Sequence, residues 1–487
     1  MPPSTSAVTA HRTTILRSFT IGLSLVVVIV AAGCAPGMPT DGPTSTEELA
    51  QPVPTIALPP DVVVAWSADD GLWVQAGVSP SRRMTDTVAA LTATLSPDGR
   101  HVAFLSAAPD GFDLRVANVA DGTVRTLASG AQLAHDVPAP ADMPTGTVTR
   151  IERSYLGWLP DSTAVGFTTV ADGPGDFGGW RPRNDLWLAR LDGDAPTEVL
   201  AAGQGGHFVF SPDGRHAAIT RRDGSTKSPN MDAVYRADIP DGEVRVLLTH
   251  ATVSSGSDWQ THNVPQWTPD GAALLVAVPA NLPAANDGWA EYDDPFTLLR
   301  LSLDGTPTIV AEVGPGSVPW TQYYHGYWSP DGRSVAYLAP PVVDSDAATA
   351  YPPPTTGPPT GPRTLVIAGG DGADPVPYDD VADRPVLLEW SPDGTRFVYR
   401  ARTVDHGQGA PTHPLLLGAR GALPRPLDGI DTSRDARVRW LDPAHVLLIA
   451  ADGLTVLRLN DDGAVIGRGE VVRGAVGFGD AAWVRAR

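Results

Sequence analysis

Cysteine is almost absent from this chain of 487 residues. Its one copy, Cys34, cannot form a disulfide within the chain, so a small disulfide-held scaffold is excluded. Positive charge is also scarce, because 35 lysines and arginines stand against 55 acidic residues, for a formal net charge of −20. A surface this acidic repels phosphate backbones, so we do not expect a nucleic acid partner.

The N-terminus carries an apolar run. Arg12 and Arg17 precede an uncharged stretch over residues 18–33, which at ~1.5 Å per residue spans roughly 24 Å, short of a ~30 Å bilayer core. The run therefore predicts a signal peptide over residues 1–33. It ends in VAAGC, which resembles the bacterial lipobox, although Ala31 stands where leucine is commonest. The resemblance implies that Cys34 becomes a lipidated mature N-terminus with acyl chains such as palmitate. The alternative is an ordinary secretion signal beside a coincidental cysteine.

A proline-rich segment follows the cysteine. Residues 35–60 contain seven prolines and no aromatic residue, a composition typical of a solvated tether. The sequence thus predicts a lipidated cysteine and tether over residues 34–60 and a folded region over residues 61–487. These features predict a protein on the extracytoplasmic side of the cell membrane, held there by lipid.

The folded region contains an internal repeat of the type WSPDG. The copies recur every 50 to 63 residues, and their aromatic or leucine residues are Leu95, Trp158, Phe210, Trp267, Trp328, Trp390 and, in a degenerate copy, Trp440. In each copy Pro, Asp and Gly suit successive positions of a tight turn, and a β-rich apolar run follows. A second hairpin with an Asp-Gly turn comes next in most units. Each repeat is therefore predicted to be a four-stranded propeller blade.

The chain ends predict how the ring closes. The segment VVVAWSADDGLWVQAG, from Val62, supplies three strands without an entry strand, and GAVGFGDAAWVRAR, from Gly474, supplies a spare one. Pairing them would complete a further blade and hide two sheet edges. We therefore expect an all-β propeller of eight four-stranded blades, with seven as the alternative.

This repeat resembles the TolB-type propeller repeat, also called PD40 or WD40-like, over about residues 62–487. The resemblance implies a closed β-propeller. It does not extend to the N-terminal α/β domain of TolB, which is missing ahead of the repeat, so TolB's role in the Tol-Pal system is not carried over.

Seven copies around a ring cannot all be catalytic, so the repeated aspartates are predicted to serve turns. In a propeller, the turns between strands one and two and between strands three and four lie on one face, here called the turn face. The other connections lie on the opposite face, the loop face. Many of them are long in this sequence, although the blades entered near Leu95 and Trp440 have short ones. Long connections on a rigid scaffold are where binding residues collect.

The loop face is rich in aromatic and polar residues that suit sugars and peptides alike. The candidates for binding are Arg153, Tyr155, His207, Trp259, His262, Trp320, Tyr323, Tyr324, His325, Glu389 and Arg437. The alternative is that these side chains only seal the loops against the rim.

Enzymatic chemistry has weaker support. His207, His262 and His325 precede successive inner strands, and oligogalacturonate lyases, which are TolB-like propellers, have a histidine-based metal site. The three histidines differ in their offset from the motif, however, and no HExxH, CxxC or GxSxG pattern occurs. No metal or cofactor is therefore predicted. The sequence favours a membrane-anchored module that binds a cell-envelope protein or glycan. The alternative is an enzyme acting on a polysaccharide or lactone in a His-lined channel.

Overall fold

The fold is seen in a computed structural model of the chain. It describes most strands and short turns of the repeat region. The described residues are 53–68, 70–85, 90–109, 111–137, 149–172, 180–193, 195–221, 233–249, 265–279, 296–313, 328–338, 365–378, 386–400, 415–427, 437–450, 453–473 and 481–485.

Eight antiparallel sheets follow one another along the chain. Blades 1 to 4 contain β1 (Val62–Ala68), β2 (Gly71–Ala76) and β3 (Arg82–Arg83); β4 (Ala90–Leu95), β5 (His101–Ala108), β6 (Gly111–Asn118) and β7 (Val124–Ala128); β8 (Thr149–Trp158), β9 (Ala164–Asp172), β10 (Trp180–Pro182), β11 (Leu186–Arg190) and β12 (Thr197–Leu200); and β13 (His207–Phe210), β14 (His216–Arg221), β15 (Ala233–Asp238) and β16 (Val244–Thr249). A short helix, α1 (Gly130–Asp136), connects blades 2 and 3.

The second half of the ring repeats this plan. Blades 5 to 8 contain β17 (Gln266–Trp267), β18 (Ala273–Pro279), β19 (Phe296–Ser302) and β20 (Pro307–Val313); β21 (Ser334–Leu338), β22 (Leu365–Gly369) and β23 (Val376–Tyr378); β24 (Val386–Trp390), β25 (Arg396–Arg400), β26 (Leu415–Ala419) and β27 (Ala422–Pro426); and β28 (Arg437–Asp442), β29 (His445–Ala450), β30 (Gly453–Leu459) and β31 (Val465–Arg473). The inner position of blade 6 is held by an isolated bridge between Trp328 and Val335.

The last strand closes the ring. β32 (Ala481–Arg485) pairs antiparallel with β1, with Trp66 opposite Ala481 and Val62 opposite Arg485. Blade 1 therefore takes its inner strand from the C-terminus and its other three strands from the start of the repeat region. The predicted eight-bladed all-β propeller, closed by its two chain ends, is confirmed.

Apolar side chains fill the gaps between neighbouring blades. The aromatic residue of each motif packs against the preceding blade, as Trp267 does against Val234 and Leu248 of blade 4. The gap between blades 8 and 1 is filled in the same way, by Trp66 packed with Leu447 and Ile449. Each of the eight gaps holds such a cluster. The core is thus a ring of sheet-on-sheet contacts, which explains why each repeat needs its neighbours.

The chain ahead of β1 is also part of the propeller. The N–H of Ile56 donates to the carbonyl of Arg468 in β31 (3.1 Å), and the N–H of Arg468 donates to the carbonyl of Pro54 (2.9 Å). This pairing is parallel. Leu58 then enters the apolar cluster between blades 8 and 1 and is 3% exposed. Residues 53–58, the docked segment, therefore cover part of the outer edge of blade 8.

Within the described residues, no helix has the length and apolar content needed to cross a membrane. The helix α1 packs through Leu133 into the cluster between blades 2 and 3.

Candidate functional site

The described residues include part of the predicted binding set. The side chains of His207 and Glu389 are described, whereas Arg153, Tyr155 and Arg437 are placed in β8 and β28 by their backbone. The remaining candidates lie outside the described residues, as does the predicted lipidation site; these are Trp259, His262, Trp320, Tyr323, Tyr324, His325 and Cys34.

The Pro-Asp-Gly turns use their own polar groups. In blade 4 the hydroxyl of Ser211 donates to Asp213 Oδ1 (2.6 Å) and accepts from the N–H of His216 (2.9 Å). The same Asp213 oxygen accepts from the N–H of Arg215 (3.0 Å). Four other blades repeat this pattern with Ser or Thr and Asp at the matching positions, namely Ser96 and Asp98, Thr268 and Asp270, Ser329 and Asp331, and Ser391 and Asp393.

These hydrogen bonds set the protonation of the turn carboxylates. The hydroxyl of Ser211, and then the N–H of Arg215, hold the pKa of Asp213 below its ordinary value. Thr268 and the N–H of Ala272 do the same for the pKa of Asp270. A carboxylate with a lowered pKa, occupied by its own turn, is poorly suited to general acid–base work at neutral pH.

Successive turns also touch one another. A side-chain carbon at Gly214 would lie 3.4 Å from Pro160 of the preceding turn, and one at Gly332 would lie 3.3 Å from Pro269. The N–H of Asp98 donates to the Ser162 hydroxyl of the next blade (3.1 Å). Each motif thus stabilises both its own hairpin and the contact between blades, and the turn face is a structural ring.

Two described side chains of the binding set belong to inner strands. His207 is the first residue of β13, lies opposite Thr220 of β14 and is half-buried. The tight connection before it contains Gly206 with φ +154°, where a side chain would clash with the carbonyl oxygen of Thr220 (2.5 Å). His207 therefore sits at the loop-face end of the inner strand of blade 4.

Glu389 is engaged between blades 7 and 8. Its side chain is 6% exposed, its Oε2 accepts from the N–H of Trp440 (2.7 Å), and its Oε1 lies 3.6 Å from Arg439 Nη1. Burial raises the pKa of Glu389 to about 8, against the opposing effects of Arg439 and the Trp440 N–H. In this structure the carboxyl group of Glu389 joins two inner strands.

A buried polar network lies at the loop-face end of blade 3. Asp185 is fully buried and accepts hydrogen bonds from the backbone N–H of Thr169 (2.8 Å), the hydroxyl of Thr169, Arg183 Nε (3.2 Å) and Trp187 Nε1 (3.1 Å). Arg183 Nη1 in turn donates to the hydroxyl of Thr149 in the inner strand β8 (3.4 Å). The network therefore fixes the strand ends from which the connections of blade 3 leave.

The sequence interpretation did not single out Asp185, although a signal was present. An Asp-Leu pair stands at the start of the third-strand segment in both DLRV and DLWL. In blade 2 the equivalent Asp113 accepts from the N–H of Gly130 at the start of α1 (3.0 Å). The repeated pair marks an aspartate that holds a loop-face connection in place.

The histidines and carboxylates of the same residues bear on metal binding. No group of three or more His, Cys, Asp or Glu side chains in the described ranges is arranged to hold a metal ion. Two of the three histidines considered for a metal, His262 and His325, lie outside those ranges.

Comparisons with known proteins bear on the fold. No family model and no curated protein matches the chain. Among solved structures, TolB from Acinetobacter baumannii is similar, with 14% identity over 65% of this chain and 63% of that chain, at a TM-score of 0.31. The putative TolB from Agrobacterium tumefaciens has 16% identity over 68% of this chain and 92% of that chain, at a TM-score of 0.30. An oligogalacturonate lyase in complex with manganese has 15% identity over 78% of this chain and 86% of that chain, at a TM-score of 0.42.

These likenesses concern the fold alone, and the chain spans less than two thirds of the Acinetobacter TolB chain. The architecture rests on the chain's own features. Eight antiparallel blades, six of them four-stranded in the part of the chain that the structure describes, are closed by the two chain ends and built on repeated Pro-Asp-Gly turns. They make this protein a β-propeller consistent with the TolB-like, PD40 type.

Proposed function

We propose that this protein is a membrane-anchored, extracytoplasmic binding module whose loop face holds a cell-envelope protein or glycan. The observation that carries this proposal is the difference between the two ends of the blades. At the turn face, neighbouring strands are joined by hydrogen-bonded turns such as Ser391–Arg396, whose polar groups are already used. At the loop face, β21 and β22 are connected by residues 339–364, and β25 and β26 by residues 401–414.

The loop face has a rigid base. Thr149, Thr169 and Asp185 are each 0% exposed and hold the strand ends of blade 3 together. Loops on a base of this kind are held in position without being part of the core, an arrangement that proteins use for recognition. The aromatic candidates Trp320, Tyr323 and Tyr324 fall within one such connection by sequence. Their rings would offer stacking surfaces to a sugar or a peptide.

Binding is tested with the purified full-length chain and isolated cell-wall sacculi. We expect the chain to sediment with sacculi or to bind a defined envelope protein. Trp320→Ala and Tyr324→Ala should each weaken the apparent affinity for that partner at least tenfold. Leu423→Ala is the matched control, because Leu423 is an 84% exposed side chain on the outer strand of blade 7. Equal losses in all three variants would contradict the proposal.

A second candidate is an enzyme with a metal-dependent site in the channel. It is favoured by the position of His207, half-buried at the loop-face end of an inner strand. Metal analysis of the purified chain decides between the two functions. Stoichiometric metal that is lost in a His207, His262 and His325 triple alanine variant would favour the enzyme.

A further inference from the structure

The docked segment gives the N-terminal chain a fixed exit from the propeller. Strand β31 begins after the turn Asn460–Ala464, which belongs to the turn face. Because residues 54–56 run parallel to β31, the Val53 end of the docked segment lies toward the turn face. The exit therefore lies on the turn-face side of the outer edge of blade 8.

The fit at this edge is specific. A side-chain carbon at Gly467 would lie 2.7 Å from Ile56 Cγ2, and one at Gly469 would collide with the Ile56 carbonyl oxygen. Two glycines in β31 thus leave room for Ile56, Gly467 for its side chain and Gly469 for its backbone carbonyl. Ile56 itself packs at the margin of the cluster between blades 8 and 1. Both the docked segment and β31 therefore contribute residues that fit this contact.

The start of β1 lies on the same side. β1 is the second strand of blade 1, so its first residue, Val62, is at the turn face, where its carbonyl accepts from the N–H of Gly77 (2.8 Å). A side-chain carbon at Gly77 would clash with the backbone of Pro60. The path from Val53 to Val62 thus begins and ends on the turn-face side of the ring.

We propose that this path makes the turn face the membrane-proximal side of the propeller and presents the loop face outward. The inference rests on the membrane attachment in the proposed function. A random coil of about 18 residues, the length of the predicted tether ahead of Val53, has an end-to-end distance of about 23 Å, close to the ~20 Å height of a strand of about six residues. A tether of that length, joined to the turn-face side, favours orientations in which the turn face is nearer the bilayer than the loop face.

The test uses the lipidated protein, purified from membranes and reconstituted in phosphatidylcholine vesicles that carry an energy acceptor on their headgroups. A genetically encoded non-natural amino acid that carries a donor dye is placed at one of two positions. It replaces either Asp121, in the turn between β6 and β7, or Asp70, between β1 and β2. Both sites are exposed, and they lie on the turn face and the loop face respectively. We expect energy transfer to be at least twofold more efficient from position 121.

The outcomes separate this inference from the proposed function. A chain that fails to sediment with vesicles would overturn membrane attachment and orientation together. A chain that sediments but transfers energy equally well from both positions, or better from position 70, would overturn the orientation alone.

A variant tests the contribution of the docked segment. Gly469→Val is expected to speed hydrogen exchange of residues 53–58 at least tenfold and to lower energy transfer from position 121, because the tether becomes longer. Ile466→Val, on the same strand and 41% exposed, is the control and should change neither. Unchanged exchange in Gly469→Val would overturn the role of the docked segment.

Discussion

The backbone N–H of Trp440 in blade 8 donates a 2.7 Å hydrogen bond to the carboxyl group of Glu389 in blade 7. The same carboxyl group lies 3.6 Å from Arg439, which precedes Trp440. The two inner strands are therefore joined by a buried ionisable group in addition to their apolar packing. Such a group makes the stability of the ring depend on pH.

Glu389→Gln should flatten part of that pH dependence. The pKa of Glu389 is about 8 in the folded protein and near 4.5 when the chain is unfolded. Between these pH values the Glu389 carboxyl group is ionised in the unfolded chain but protonated in the folded chain. The free energy of unfolding therefore falls as pH rises. The contribution is fully present below pH 4.5 and is lost by about pH 8. The expected loss is on the order of a few kcal/mol.

Urea denaturation between pH 4.5 and 8.5 measures this effect. Glu470→Gln is the matched control, because Glu470 is 53% exposed and pairs with Arg473 at the surface (3.1 Å). If the free energy of unfolding of Glu389→Gln still falls with pH as steeply as that of the wild type, Glu389 is not the source of the pH dependence. The same holds if the dependence disappears in Glu470→Gln.

Ser211→Ala should destabilise the propeller by about 1 kcal/mol, since the partly buried N–H of His216 loses its side-chain acceptor. The pKa of Asp213 should also rise toward its ordinary value, because the Ser211 hydroxyl is the main cause of its lowering. Chemical denaturation and an NMR titration of Asp213 measure the two effects. Ser79→Ala, at an exposed position, should change neither.

Asp185→Ala should be the most damaging of these changes, at roughly 3–5 kcal/mol, because it leaves the buried Arg183 without its carboxylate. Thermal denaturation checks this. Asp192→Ala removes an exposed partner of Arg190 (3.3 Å) and should cost less than about 1 kcal/mol. Similar losses in both variants would argue against a central role for the blade 3 network.

Cys34→Ala should release the protein from membranes, because it removes the predicted attachment point of the acyl chains. Fractionation of cells that express the full-length chain measures this. Met38→Ala, in the predicted tether, is the control and should remain in the membrane fraction. A Cys34→Ala protein that stays there as well would contradict lipid anchoring.

Much of the fold could be predicted because its determinants are local. A Pro-Asp-Gly turn such as that at Pro392 carries its whole hydrogen-bonding pattern within a few residues, and its recurrence predicts the number of blades. The last blade followed from counting strands at the two ends, now seen as β1 paired with β32.

The contacts that the sequence interpretation missed join distant parts of the chain. Residues 53–58 dock through backbone hydrogen bonds to Arg468. Such bonds require no particular side chains, so the only sequence signal for this docking is the pair Gly467 and Gly469. Glu389 was proposed as a binding residue at the channel mouth. Its carboxyl group is instead buried beside Arg439 and the Trp440 N–H of the next blade, which become its neighbours once the blades are packed.

The most direct test of binding through the loop face is site-specific photocrosslinking in intact cells. A photoreactive amino acid is placed at Tyr324, which the sequence predicts to lie on the loop face, and at Asp121 on the turn face in a matched strain. We expect a discrete crosslinked product from position 324, formed with an envelope protein or with the cell wall, and none from position 121. Products from position 121 alone, or none from either position, would contradict binding through the loop face.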